Sequence, residues 1–137
     1  MTGRSFFDTN ILVYTDDADA PDKREGALQL WQDHRIAGRA VISVQVLKEY
    51  YLASTRKLGV DPRIAIEKLE LFGRADVVRD GGEDVVRAAR LALEHRLSFR
   101  DAMIVASASS ARCTVLFSED LQAGRRFADL QIVNPFA

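Results

Sequence analysis

Cysteine occurs once in this sequence, at Cys113, so no internal disulfide can form and no thiolate zinc site is possible; a chain of this kind suits the cytoplasm. Histidine is almost as scarce. His34 and His95 have no partners at metal-ligand spacing. Glycine and proline form no linker, and no glycine-rich loop is followed by lysine, which excludes a P-loop NTPase. There are no repeats and no low-complexity tracts. No run approaches a membrane span, and the longest weakly polar stretch, 102–111, is interrupted by serines. Neither sign of charge prevails: nineteen basic residues against twenty acidic give a net charge of −1. The sequence therefore lacks the global basic footprint of a general nucleic-acid binder. A phosphate-bearing substrate would have to be held by a metal or by a local patch.

What remains is ordinary globular composition. The 137 residues are 47% hydrophobic and 28% charged, enough to bury a core and of a length expected for one domain, 1–137. The segment from Met1 to Asp8 has one arginine and no long apolar stretch, which reads against a secretory signal.

Short apolar strands are expected at Ser5–Phe7, Ala40–Ile42, Val77–Val78, Thr114–Phe117 and Leu130–Val133. Between them the spacing predicts helices over about 23–37, with Ala27, Leu30, Trp31 and His34 inward, and from Ser43 to about 57, with Val46, Leu47, Tyr50 and Tyr51 inward. A helix capped by Asp61-Pro62 reaches about 72, using Ile64, Ile66, Leu69 and Phe72. Two more span about 83–95 and 98–111, and a short helical piece is expected near Leu121. Strands alternating with helices argue for an α/β domain with a mostly parallel sheet and right-handed crossovers.

Asp8, Glu49, Asp101 and Asp120 each sit where a strand meets a helix. In such a sheet, ligands gather beyond the carboxyl ends of the strands, and clustered carboxylates there suit a hard divalent cation. Each also has a bland reading. Asp101 completes a capping box with Ser98, Asp120 fits a turn, Asp8 heads an N-cap cluster, and Glu49 fits a solvated helix face. Singly, those readings are the better ones; jointly, the four acids favour a site. Without a cation, such a group should raise the pKa of at least one member.

The segments FDTN (7–10), LKEYY (47–51), SFRDAMIVASA (98–108) and LFSEDL (116–121) together resemble the motifs of the PIN-domain family, most of all its VapC-type toxin ribonucleases. The resemblance implies a three-layer α/β/α sandwich and a Mg2+- or Mn2+-dependent endoribonuclease that leaves a 5′-phosphate and a 3′-hydroxyl. It implies Asp8, Glu49, Asp101 and Asp120 as the acidic site, with Asp8, Asp101 and Asp120 on the metal and Asn10 and Ser118 supporting. Glu119 stays open as a substitute for Asp120. The resemblance also implies a homodimer, a cognate antitoxin partner and an RNA substrate.

Contacts to RNA fall to local cations: Lys48, Arg56, Lys57, Arg100, Arg125 and Arg126. Arg100 has three open roles, gripping the scissile phosphate, pairing with Asp101, or pointing into solvent, and solvent is the default. The acidic loop 16–22 reads as solvated. His34, His95, Trp31 and Cys113 read as structural. A haloacid-dehalogenase-type phosphotransferase would need an acid two residues after Asp8, where this chain has Asn10. The other reading is a catalytically inactive PIN-like module that binds protein.

Overall fold

A computed structural model describes residues 3–137; Met1 and Thr2, the start of the segment read for a signal, lie outside the described residues. Six strands form one sheet: β1 (Arg4–Phe7), β2 (Ala40–Ser43), β3 (Asp76–Val78), β4 (Cys113–Phe117), β5 (Arg126–Phe127) and β6 (Leu130–Val133). Their order is β3-β2-β1-β4-β6-β5, and every pairing is parallel except β5 with β6. β1 and β2 are buried almost throughout, as parallel strands covered on both faces must be.

Helices α1 (Thr9–Tyr14) and α2 (Pro21–Ile36) link β1 to β2, and α3 (Val44–Arg56) and α4 (Pro62–Phe72) link β2 to β3. Helices α5 (Gly82–His95) and α6 (Phe99–Ser110) then lead back to β4, on the other side of β1. Right-handed crossovers in opposite directions put α1–α4 on one face and α5–α6 on the other, which makes the expected α/β/α sandwich. The reversal falls between β1 and β4, where Phe7 pairs with Phe117. Asp8 and Ser118 are the next residues on the two strands.

The helices form where the sequence places their caps. Ser43 accepts from the Val46 N–H (3.3 Å), Asp61 from Arg63 (2.9 Å) and Ser98 from Asp101 (3.1 Å). Gly38, at φ +71°, follows the end of α2 in the left-handed region that favours glycine. Ala27 and Trp31 are buried on α2, and Trp31 meets the rings of Phe7 and Phe72 edge-on at 5.0 and 5.2 Å. His34 joins this cluster through Phe7 and Phe117, with Nδ1 2.8 Å from the Leu30 carbonyl oxygen. Its reading as structural fits that setting, as does that of buried Cys113.

Three expectations need correction. Helix α4 buries Ala65 and Phe72, with Lys68 and Leu69 half-buried, while Ile64 and Ile66 face outward. The inward stripe is thus 65-68-69-72, and the Lys68 stem takes part because its ammonium reaches Asp16 and Thr15. No helix forms near Leu121. There the Ser118 hydroxyl accepts the Leu121 N–H (3.1 Å), and the Gly124 N–H is drawn to the Ile132 carbonyl (2.9 Å), so the sheet captures the backbone instead. The same segment supplies the unforeseen β5, which turns back onto β6. Nor is the acidic loop wholly solvated. Asp16 accepts from Lys68 (2.9 Å) and from the Tyr50 hydroxyl, whereas Asp19 and Asp22 are exposed.

Candidate active site

Asp8 is the fixed point of the site. It is fully buried at the end of β1, where its N–H donates to the Phe117 carbonyl (2.9 Å) and its Oδ1 accepts from the Thr9 N–H (2.7 Å). Its Oδ2 accepts from the Ser118 hydroxyl (2.8 Å) and, at 3.4 Å, from Asn10 Nδ2. The two residues expected to support the acids therefore do touch Asp8. Asn10 also donates to Asp120 Oδ2 (3.0 Å) and accepts the Glu119 N–H (3.2 Å), so one amide spans both strand ends.

Glu119 and Asp120 point to different neighbours. The Glu119 carboxylate accepts from the Tyr14 hydroxyl (2.6 Å) and pairs with Lys23. Burial works to raise the Glu119 pKa, but the bonds from Lys23 and Tyr14 outweigh it and hold it below the ordinary value. Asp120 remains exposed beside Asn10, and it is Asp120 that lines the acidic cleft.

At the centre stands Arg100, in the first turn of α6. Its Nη2 donates to Asp8 Oδ1 (2.7 Å) and Glu49 Oε1 (2.6 Å), and its Nη1 to Asp101 Oδ1 (3.1 Å). Nε bonds both oxygens of Glu49, at 3.2 and 3.1 Å. The solvated position taken as the default for Arg100 is thus wrong. An exposed guanidinium gains little from one surface carboxylate, but here three from separate elements share it. Asp101 likewise does more than sit in a cap. Ser98 supplies the helix cap, while the Asp101 carboxylate turns to Arg100.

This arrangement decides the electrostatics of Glu49. Burial alone would raise its pKa, but the hydrogen bonds from Arg100 and from Thr9 (Oγ1 to Oε1, 2.6 Å) prevail and lower it. The mutual repulsion expected to raise a carboxylate is answered at Glu49 by a cation of the chain itself. Arg100 shows the reverse balance: burial works against its charge, yet Glu49 and Asp8 raise its pKa further.

Two contributors escaped sequence reading. Thr9 fixes Glu49, and Gln45 donates to Glu49 Oε2 (3.3 Å) and to the Arg100 carbonyl (3.4 Å). The signal for Gln45 was its position four residues before Glu49 on the same helix.

Glu49, Asp101 and Asp120 line a cleft of about 570 Å³, while Asp8 is buried out of its lining. Besides Arg100, its only cation among the described residues is Lys57. Lys48 and Arg56 are exposed on α3 outside the lining. Arg125 lies over the Phe127 ring and Arg126 donates to Gln131, both away from the acids. Every acidic donor is a carboxylate oxygen, the ligand type that magnesium and manganese take. As the side chains stand, however, no three His, Cys, Asp or Glu groups among the described residues are close enough to hold a metal ion.

The motif order and the meeting of the four acidic segments at one switch point now have a counterpart in comparison. The model of the PIN domain matches residues 5–130. The chain belongs to the PIN-domain family. This PIN domain is similar in structure to Mycobacterium tuberculosis VapC20, a Sarcin-Ricin loop cleaving toxin, with a TM-score of 0.70 and 20% identity over 85% of this chain and 89% of that one. It is also similar to a chain of a toxin–antitoxin complex from Klebsiella pneumoniae (TM-score 0.70, 20% identity, 96% and 97% covered). A third likeness is to DNA-bound VapBC from Salmonella typhimurium (TM-score 0.68, 19% identity, 94% and 96% covered). At these identities the likeness establishes the fold. No curated protein matches by sequence.

Proposed function

We propose that this PIN domain, a single unit over residues 1–137, is a Mg2+- or Mn2+-dependent endoribonuclease. In this reading it is the cytoplasmic toxin of a type II toxin–antitoxin pair, a homodimer restrained by a cognate antitoxin. The observation that carries the reading is the convergence of Asp8, Glu49 and Asp101 on one guanidinium, with Asp120 joined to them through Asn10. Four carboxylates gathered from distant segments are costly to hold together unless positive charge is supplied there.

Asp8, Asp101 and Asp120 would hold the ion. When bound, it supplies Lewis acidity, polarising the phosphodiester and lowering the pKa of water at the site. Glu49, kept ionised, accepts a proton from the attacking water, and Thr9 and Gln45 fix its orientation. Asn10 and Ser118 hold Asp8 and Asp120 in register. Arg100 and Lys57 face the phosphate from the cleft wall, with exposed Lys48 further out.

An antitoxin and a second copy both need apolar contact surface. Exposed Leu52, Ile64 and Leu71 on α3 and α4, and Val86, Leu93 and Phe99 on α5 and α6, are compatible with such contacts. No helix among the described residues is long and apolar enough to cross a membrane.

The test is incubation with total RNA in Mg2+, Mn2+ or EDTA, followed by mapping of the cut ends. Metal-dependent 5′-phosphate ends, lost in Asp8→Asn and Asp101→Asn variants that remain folded, are expected. Cleavage that persists in EDTA would remove the metal from the account. The second reading, an inactive protein-binding module, draws on one observation, the pairing of Asp8, Glu49 and Asp101 with Arg100. It predicts no cleavage under any of these conditions.

A further inference from the structure

We propose that Arg100 is a tethered counter-cation: its guanidinium fills the space between Asp8, Glu49 and Asp101 in the metal-free protein, and a divalent ion binds by displacing it. This rests on the metal-dependent reading above.

The oxygens decide it. Asp8 is fully buried, and three directions around its carboxylate are taken by the Thr9 N–H, the Ser118 hydroxyl and the Asn10 amide. The remaining approach is the one Arg100 uses, through Nη2 to Oδ1 at 2.7 Å and Nη1 to Oδ2 at 3.4 Å. Asp101 Oδ1 meets the same Nη1 (3.1 Å), so an ion shared by Asp8 and Asp101 would need the place of that nitrogen. Guanidinium and metal are therefore exclusive occupants. With Arg100 lying among them, no three acids among the described residues close on a common point.

Exchange also has a path. The Arg100 side chain is 34% exposed and lines the cleft, so it can swing outward without unfolding α6. There its planar fork, suited to paired phosphate oxygens, becomes free to meet an incoming phosphodiester. Part of the negative charge is thereby offset in the metal-free state, at the expense of metal affinity. Apparent affinity is the intrinsic affinity multiplied by the fraction of molecules whose Arg100 is already out.

The experiment uses the full chain, stripped with EDTA, with Mn2+ alone as probe, read by calorimetry and by thermal melting. Arg100→Gln should melt below wild type without metal, because Asp8 and Glu49 lose their countercharge. It should bind Mn2+ tighter by about tenfold, as expected where Arg100 occupies the site in about nine-tenths of wild-type molecules. Its melting midpoint should rise further with Mn2+ than that of wild type. Arg100→Lys, which keeps the charge but not the fork, should fall between the two. If Arg100→Gln needs Mn2+ to fold at all, the metal is replacing the guanidinium as proposed, and Arg100→Lys supplies the affinity comparison. Equal or weaker Mn2+ binding in the variants overturns the exchange while leaving metal dependence standing. Absence of Mn2+ binding in wild type and variants alike overturns both.

Discussion

Asn10 Nδ2 donates to Asp120 Oδ2 across 3.0 Å, and this bond ties the exposed acid after β4 to helix α1, which follows β1. Asp120 lies on an irregular segment, so without the bond its carboxylate has no side-chain partner among those described for it. Asn10→Ala should leave the fold intact by far-UV circular dichroism and lower metal affinity or RNA cleavage by about 10–100-fold, as removal of an orienting partner usually does. Wild-type values in that variant would show that Asp120 needs no support.

The pair Glu119 and Asp120 can be separated by substitution. Asp120→Asn should impair cleavage strongly. Glu119→Gln should not, because its carboxylate serves the Lys23 and Tyr14 contacts away from Asp8. Initial rates on one RNA substrate for both variants check this, and a reversed order would hand the site position to Glu119.

Glu49 has a lower pKa folded than unfolded, so its ionised form stabilises the fold. That contribution is fully present above about pH 4.3, the ordinary glutamate value, and is lost as pH falls through the lower folded value. Urea unfolding of the metal-free protein between pH 7 and pH 3 should show stability declining across this window. Glu49→Gln should show a shallower decline, and identical slopes would contradict the assigned role of Arg100 as its partner.

Ser43 is fully buried at the end of β2, and its hydroxyl caps α3, the helix that carries Glu49. Ser43→Ala should cost about 1 kcal/mol of stability, measured by chemical denaturation, with cleavage reduced only through the fraction unfolded.

Much of this molecule could be read from local chemistry. The caps at Ser43, Asp61 and Ser98, the stop at Gly38 and the buried strands are decided by neighbouring residues, and each appears where its residues place it. The acidic positions followed from strand ends and from motif order. What escaped depended on distant partners. Arg100 looks like a surface charge until Asp8, 92 residues away, and Glu49, 51 residues away, are brought beside it. The segment around Leu121 has helix-compatible residues, but hydrogen bonds to Ser118 and Ile132 decide its course. On α4, isoleucines at 64 and 66 suggested the inner face, whereas Ala65 fits where the helix lies against the core.

The sheet ends on one side in β3, three residues long, and on the other in β5, two residues long and running against its neighbour. Margins this brief give a foreign strand almost no backbone to zip onto, so growth into ribbons by edge-to-edge addition is discouraged. Any pairing of two copies is then left to side chains outside the sheet margins, where single substitutions can tune it.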